Sequence, residues 1–282
     1  MENTFKIEQI THLVLAQYHR WYQVYEIPFT DNTIANQKDI LSDDVEIISQ
    51  AGTSKGKNGL EERLKVFTGW RNAHHVQKTE IKLLEDGNLS LEADILYQNI
   101  RPDNSKYSYK LHYSTILRQR ANDLPVFTLV SLQPTDLVEE FKFDEAYTEN
   151  RVKSFMHYWL YLMECPNYEK FKELLDRNFE LNLSSDERIS DFETFKTWID
   201  SPLKIKTSSH IYKNLKIVEN NDDTIGVSVS FDWKGIDINN QQMIAETRHE
   251  WQLSNNIEER FARMKQMKVT TIKPFQIVEN FK

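Results

Sequence analysis

Apolar residues recur at helical spacing near the start of the chain and again just past its middle. The first set is Ile10, Leu13, Val14, Tyr18, Trp21 and Val24, and the second is Val152, Phe155, Met156, Trp159, Leu162 and Met163. This spacing predicts two long helices, each with one apolar face. Each helix is expected to end before Pro28 or Pro166, because proline disfavours helical geometry in the residue that precedes it.

The same order of elements is predicted after each long helix. A short segment runs into a strand, a second helix follows, and three or more strands with alternating apolar residues complete the series. These later strands are expected at 74–87, 89–99 and 109–119 in the first series, and at 210–222, 224–234 and 245–255 in the second. The order predicts an α+β fold in which N-terminal helices cover a curved antiparallel sheet.

The two series also share motifs at both ends. Residues 19–28, HRWYQVYEIP, match residues 157–166, HYWLYLMECP, at His, Trp, Glu and Pro. Residues 133–141, QPTDLVEEF, match residues 273–281, KPFQIVENF, at Pro, Val, Glu and Phe. Internal repeats of this kind indicate one structural unit written twice. We therefore predict a tandem duplication, with repeat 1 at residues 1–142 and repeat 2 at residues 146–282.

Composition narrows the choice of partners and cellular location. The 282 residues carry a net charge of −8, which argues against a nucleic-acid-binding surface. Cys165 is the only cysteine, so an internal disulfide and a cysteine-based metal cluster are excluded. No stretch approaches the roughly 18 apolar residues of a membrane helix, and Met1 leads into polar residues rather than a signal region. We expect a cytoplasmic protein with no nucleic-acid partner, no membrane partner, no metal and no cofactor.

Certain stretches resemble a known superfamily. They are LSDDVEII after the first helix, and a histidine that leads into a long strand in HHV and in SSHI. With the order of elements, they resemble the nuclear transport factor 2-like superfamily, including its SnoaL-like polyketide cyclase branch, as two tandem copies over almost the whole chain. The resemblance implies two cone-shaped units, each with a pocket open at one end.

The resemblance leaves the activity open. Enzymes of this superfamily, such as scytalone dehydratase, ketosteroid isomerase and limonene epoxide hydrolase, use carboxylates, His or Tyr in the pocket. Other members bind ligands or partners without catalysis. A fold of this kind is compatible with several functions and does not determine which of them a protein has.

His19 and Glu26 lie seven residues apart, on the helix face opposite Trp21. Their recurrence as His157 and Glu164 could mark two equivalent polar clusters. We favour the interpretation that the tryptophan packs in the core while His and Glu fix the helix end. On this interpretation no acid–base set is shared by the two repeats at matched positions.

Three histidines precede the long strands of the two repeats. His74 and His75 are adjacent, so on a strand they point to opposite faces and only one can enter a pocket. His210 is their counterpart in repeat 2. A structural role at the start of the strand is the more common one, but His75 is our candidate for a general base because histidine titrates near neutral pH.

Matching the apolar faces of the strands pairs Tyr113 with His249. Both are expected on the concave side of their sheets, where a phenol or an imidazole could polarise or deprotonate a ligand. We therefore take Tyr113 as a catalytic candidate and His249 as a ligand-binding one. Trp251, Trp233 and Tyr97 are further ligand-binding candidates, although the tryptophans could instead fill repeat 2.

Asp44, in the SDDV segment, is the remaining catalytic candidate. Its counterpart in repeat 2 is Asn178, which cannot act as a carboxylate base, so a catalytic Asp44 would make only repeat 1 active. An acid before a strand more often forms a turn or cap.

Three functions stay open at this point. The first is a protein that binds a small apolar ligand in one or both pockets. The second is an enzyme of the cyclase, dehydratase or isomerase kind that uses a pocket His or Tyr and an acid. The third is an interaction module in which the two repeats form an intramolecular pseudo-dimer.

Overall fold

A computed structural model describes residues 2–50, 52–121, 123–200, 205–220 and 223–281. The first half of the chain begins with the long helix α1, at Glu2–Glu26, which ends two residues before Pro28 as predicted. The other elements of this half are α2 (Asp31–Asp39), β1 (Leu41–Ser49), β2 (Gly52–Lys55), α3 (Leu60–Lys65), β3 (Arg71–Leu83), β4 (Leu89–Ile100), β5 (Lys106–Arg120) and β6 (Asp123–Leu137).

The second half repeats this order of elements. Its members are α4 (Tyr147–Glu164), α5 (Tyr168–Phe171), β7 (Leu175–Asn182), β8 (Arg188–Ile189), α6 (Phe192–Ile199), β9 (Ile205–Glu219), β10 (Thr224–Asp237), β11 (Gln242–Ser254) and β12 (Arg263–Val278). The last two residues of the strand expected at 210–222 lie outside the described residues. The tandem α+β architecture predicted from the sequence is confirmed.

Each half forms one six-stranded sheet. The strand orders are β2-β1-β6-β5-β4-β3 and β8-β7-β12-β11-β10-β9, so the two topologies are the same. All neighbouring strands are antiparallel except β1 with β6 and β7 with β12, which run parallel. Parallel neighbours require a long crossover connection, and in each half the described part of this connection contains one α-helix and four strands.

The strand register confirms one sequence prediction and corrects another. Tyr113 lies opposite Ala93, and His249 lies opposite Val229, so these two residues hold equivalent places in the two sheets, as predicted. The prediction that His75 turns into the interior is wrong. The register of β3 on β4 shifts between Val76 and Lys78, and the extra residue of this bulge inverts the alternation before it.

The chain divides into two compact units that are not its two contiguous halves. The first unit comprises Leu13–Ser154 and Ile257–Arg260, and the second comprises Met1–His12, Phe155–Asn256 and Phe261–Lys282. Each long helix therefore contributes residues to both units. The start of α1 belongs to the second unit, and the start of α4 belongs to the first.

A tryptophan of the long helix is buried in the core of each unit. Trp21 packs against Phe127, with ring centroids 5.7 Å apart, and Trp159 packs edge-on against Phe171 at 5.3 Å. Both indoles are almost completely buried, which confirms the prediction for these positions. Among the described residues, no helix is long and apolar enough to cross a membrane.

Candidate functional site

A carboxylate and a histidine form a buried pair inside the first unit. Glu26 is the last residue of α1, and His74 lies near the start of β3. The Glu26 Oε1 atom accepts hydrogen bonds from the His74 backbone N–H at 2.7 Å and from its Nδ1 at 3.0 Å. The two side chains are only 1% and 8% exposed. Because the carboxylate accepts from Nδ1, neutral His74 carries its lone pair on Nε2.

The second unit contains the same pair. Glu164 ends α4, and its Oε1 atom accepts from the His210 backbone N–H at 2.7 Å and from its Nδ1 at 3.0 Å. Both units therefore share a carboxylate–histidine set at matched positions, and the prediction that no such set exists is wrong. The sequence showed Glu26 and His74 in separate motifs, and only the contact between helix and strand joins them.

Asn150 completes the cluster in the first unit. Its Oδ1 accepts from the His19 Nδ1 at 2.9 Å, and its Nδ2 donates to the His74 carbonyl oxygen at 3.0 Å. The same Nδ2 lies 3.2 Å from the Glu26 Oε2. Burial lowers the pKa of His19 to about 4, with a further lowering from the charge of Lys153. His19 is therefore a neutral hydrogen-bond donor within this cluster.

His12 holds the equivalent place in the second unit. Its Nδ1 lies 2.9 Å from the Nδ1 of His157, and its Nε2 lies 3.0 Å from the carbonyl oxygen of His210. Sequence analysis missed both His12 and Asn150. The offset that relates His19 to His157 also relates His12 to Asn150, so extending the repeat upstream would have aligned them.

Two tyrosines enclose the His74 ring. Tyr22 stacks on it at a centroid distance of 4.7 Å, and Tyr97 stacks at 4.8 Å. The Tyr97 hydroxyl donates to the Asn72 Oδ1 at 2.8 Å, and burial raises the pKa of this phenol. Tyr97, a predicted ligand-binding residue, thus contacts the histidine and holds its plane.

A cleft of about 530 Å³ opens beside this pair. Its lining includes atoms of Glu26 and Asn72 but not of His74, and six of its fifteen lining residues are aromatic. These are Tyr25, Phe29, Phe67, Trp70, Phe143 and Tyr147. At the rim, Arg71 donates to the Glu145 Oε1 at 2.8 Å and lies over the Phe143 ring. A volume of this size suits a small organic molecule.

Tyr25 lines the cleft and carries a phenol. Its ring packs edge-on against Phe67 at 5.2 Å and lies 6.1 Å from the ring of His74. The Tyr25 hydroxyl oxygen is buried and has no hydrogen-bond partner among the described residues. The corresponding residue of the second unit is Met163. Only the first unit therefore has a phenol at this place.

The structure does not place the three predicted catalytic residues in one site. Tyr113 is buried among Tyr18 and Tyr22, and burial raises the pKa of its phenol. His75 is half-buried at the surface, where its Nε2 contacts the Asp144 carbonyl oxygen at 3.0 Å. Asp44 is exposed and accepts from Arg118 at 3.2 Å. None of the three lines the cleft.

The predicted ligand-binding residues of the second unit separate into two places. Trp251 is buried and packs on Phe231 at 5.8 Å, and His249 packs edge-on against the same ring at 4.9 Å. Aromatic contacts therefore fill this part of the second unit. Trp233 instead lines a different, open cavity of about 840 Å³ and packs against Phe275 at 4.9 Å.

The clusters do not include a recognisable metal centre. Within the described residues, no group of three or more His, Cys, Asp or Glu side chains is arranged to hold a metal ion. The short contact between His12 and His157 is therefore treated as a hydrogen bond between two rings.

No protein-family model matches the chain, and no curated protein matches it in sequence. Solved structures resemble one half of it. They include the hexachlorocyclohexane dehydrochlorinase LinA-type3 from Novosphingobium barchaimii, with 8% identity and a TM-score of 0.41 over 47% of this chain and 91% of that one. ActVI-ORFA from Streptomyces coelicolor has 14% identity and a TM-score of 0.38 over 45% of this chain and 98% of that one.

A third similar structure is Aln2 from a Streptomyces species, with 11% identity and a TM-score of 0.41 over 46% of this chain and 94% of that one. The helices and strands of each half follow the order that the resemblance to the nuclear transport factor 2-like superfamily implied. The chain thus holds two α+β halves with the same order of elements and the same sheet topology.

Proposed function

We propose that the first unit binds a small, largely apolar molecule in the aromatic cleft, and that the Tyr25 hydroxyl donates a hydrogen bond to a carbonyl oxygen of this ligand. Two observations carry the proposal: Tyr25 lines a cleft together with other aromatic residues, and its buried hydroxyl has no hydrogen-bond partner among the described residues.

The aromatic lining supports an apolar ligand. Half-buried rings such as Phe29, Phe67 and Trp70 leave apolar surface facing the cleft. Covering that surface stabilises a complex by about 25 cal/mol for each Å² removed from water. Flat rings also favour a flat ligand, because aromatic groups stack with centroids roughly 4.5–7 Å apart.

The phenol of Tyr25 supports a ligand with one acceptor. A buried hydroxyl that lacks a hydrogen bond costs about 1–3 kcal/mol, and a ligand acceptor would remove this cost. Carboxylate ligands are disfavoured, since Glu26 and Glu145 both border the cleft and Arg71 already pairs with Glu145. A neutral carbonyl group satisfies the phenol without charge repulsion.

The test compares 2-tetralone, a bicyclic aromatic ketone, with tetralin, the hydrocarbon that lacks its carbonyl group. Thermal shift and calorimetry should detect both compounds, with tighter binding of the ketone. The Tyr25→Phe variant keeps the ring and loses the hydroxyl, so ketone affinity should fall roughly 5-fold while tetralin affinity stays the same.

Tyr109→Phe is the matched control, because Tyr109 also carries a phenol in the first unit but does not line the cleft. It should bind both compounds as the parent does. If neither compound binds the parent protein, the ligand-binding proposal is rejected. If both bind and Tyr25→Phe keeps the preference for the ketone, the role of the hydroxyl is rejected.

A second candidate function is proton transfer at the carbon beside the carbonyl group. The pair of Glu26 and His74 favours it, because the carboxylate fixes the ring and leaves the Nε2 lone pair as a base. His74 Nε2 would take the proton, and the oxygen of the resulting enolate would accept the Tyr25 hydrogen bond. The proton then returns to carbon from His74.

This candidate is tested by deuterium exchange in 2-tetralone, followed by proton NMR in D2O. The parent should accelerate loss of the protons next to the carbonyl above the buffer rate. His74→Gln should remove the acceleration, while His75→Gln should keep it because the His75 ring is not paired with Glu26 and its Nε2 contacts the Asp144 carbonyl oxygen. Equal rates with and without the parent protein would reject catalysis and leave the binding proposal intact.

A further inference from the structure

Asn150 forms the same kind of hydrogen bonds in the first unit as His12 forms in the second. A carbonyl oxygen can only accept, so the contact of the Asn150 Nδ2 with the His74 carbonyl assigns this amide nitrogen as the donor. The Oδ1 atom must then accept, and the His19 Nδ1 carries the proton of their 2.9 Å bond. Asn150 accepts from one histidine and donates to the backbone of another.

His12 reproduces this arrangement only as a neutral ring. Its Nε2 must be protonated, because it lies 3.0 Å from the carbonyl oxygen of His210. In the neutral ring the Nδ1 is then unprotonated and accepts from the His157 Nδ1–H at 2.9 Å. Neutral His12 and the Asn150 amide therefore present one acceptor and one donor to equivalent neighbours.

We propose that Asn150 and His12 are the positioning residues of the two carboxylate–histidine pairs, and that acid releases the second pair but not the first because His12 can take up a proton and the Asn150 amide cannot. The proposal concerns hydrogen bonds within each unit, so it stands apart from the ligand proposed for the cleft.

Protonation of His12 would disturb its unit in two ways. It places a second N–H on the 2.9 Å contact, so that His12 and His157 both present donors and one ring must move. It also creates a cation whose Nε2 lies 3.7 Å from the Glu164 Oε1 atom. Because a carboxylate prefers a charged donor, Glu164 would turn to His12 and release the His210 ring.

The groups around His12 set the direction of its titration. Burial is the largest influence and lowers the pKa of His12. His210 on β9 acts in both directions, because the hydrogen bond to its carbonyl oxygen raises this pKa and the charge of its ring lowers it. Glu164 on α4 and Glu8 on its own helix raise the pKa, but their effect is smaller than that of burial. His157 on α4 faces the ring through the shared hydrogen bond. His12 therefore stays neutral until the pH falls below the ordinary histidine range, near 6.5.

The test follows the ring nitrogens of the chain's eight histidines by long-range proton–nitrogen NMR during an acid titration. This measurement shows which nitrogen of each ring carries the proton. In the parent protein, the hydrogen-bonded Nδ1–H pattern of His210 should disappear below pH ~6.5, because a proton that Glu164 no longer holds exchanges rapidly with water, while His74 keeps its pattern. His12→Asn should hold the His210 pattern in acid, and Asn150→His should make His74 lose it.

An alanine variant distinguishes a positioning role of Asn150 from a role in packing alone. Asn150→Ala should lose the fixed tautomer of His74 at neutral pH, and Asn150→His should restore it. Loss of the hydrogen-bonded Nδ1–H pattern of His74 and His210 at the same pH in the parent would overturn the proposal without any variant. A His210 pattern that still disappears in acid in His12→Asn, or a His74 pattern that survives in Asn150→Ala, would also overturn it.

Discussion

Replacing His19 by asparagine should make the protein less sensitive to acid. Asparagine keeps a donor near the position of the histidine Nδ1, so the bond to Asn150 can persist, but it does not titrate. The His19 side chain is almost fully buried, at 3% exposure, and its burial lowers its pKa from 6.5 to about 4. The variant removes this titrating group from both the folded and the unfolded state.

The magnitude follows from the two pKa values. Between pH 6.5 and 4 the unfolded chain binds a proton at His19 that the folded protein does not, so the free energy of unfolding decreases as the pH falls through this range. At pH 5 the difference amounts to about 1.5 pK units, or about 2 kcal/mol at 1.36 kcal/mol per unit. Below pH ~4 this residue adds no further loss.

Urea denaturation at pH 7 and pH 5, followed by circular dichroism, measures the effect. The lost ring volume lowers the stability of His19→Asn equally at both pH values, so the useful quantity is the difference between pH values. The parent should lose about 2 kcal/mol more than the variant on going from pH 7 to pH 5. An equal loss in both proteins would refute the inference that His19 is neutral and shielded in the fold.

His112→Asn is the control of opposite sign. His112 is exposed and binds Asp94 and Glu92, and the hydrogen bond to Asp94 raises its pKa. A raised pKa contributes stability that is present below 6.5 and lost as the pH rises through the folded value. This variant should therefore lose slightly more stability than the parent on acidification.

Other predictions concern the core and the surroundings of the cleft. Trp21→Ala and Trp159→Ala should each reduce the free energy of unfolding by about 3–5 kcal/mol in urea melts, because each removes a fully buried indole. Tyr97→Phe should cost about 1 kcal/mol in the same assay, through loss of the hydrogen bond to Asn72. Arg71→Ala should change stability by less than about 1 kcal/mol, since its ion pair is exposed.

Element order and interior-facing strand positions could be predicted because they depend on local periodicity. Tyr113 and His249 were paired correctly because β4, β5, β10 and β11 alternate without interruption over this region. The prediction for His75 was wrong. Counting alternate residues back from Ile81 places His75 on the interior face, but the bulge between Val76 and Lys78 shifts the alternation by one residue. A bulge depends on pairing with the next strand, and the spacing of apolar residues in one strand does not show it.

The candidate site was harder to predict because its members come from distant segments. Glu26 and His74 are 48 positions apart and Glu26 and Asn150 are 124 apart, yet all three meet within hydrogen-bond distance. A polar residue on a helix is ordinarily solvated or structural, so neither Glu26 nor Asn150 signals its partner. The repeat gave an indirect signal, since each member has a counterpart at the matching place in the other half.

The differences between the two clusters bear on function more than their similarities do. Duplication alone explains why both units keep a buried carboxylate and histidine, although a buried polar pair of this kind is often no more stabilising than apolar packing. The carboxylate of the first pair has the more complete set of hydrogen-bond partners. Asn150 donates toward Glu26 at 3.2 Å, whereas the Oε2 atom of Glu164 has no partner among the described residues.

A carboxylate left partly unsatisfied favours any cation that can reach it, because an unpaired buried charge is costly. In the second unit that cation is protonated His12, already 3.7 Å away. In the first unit the asparagine cannot become a cation, so the pair of Glu26 and His74 stays assembled beside the cleft and the Tyr25 hydroxyl. The unit whose pair persists in acid is thus also the unit with the phenol and the aromatic cleft, and ligand assays should begin there.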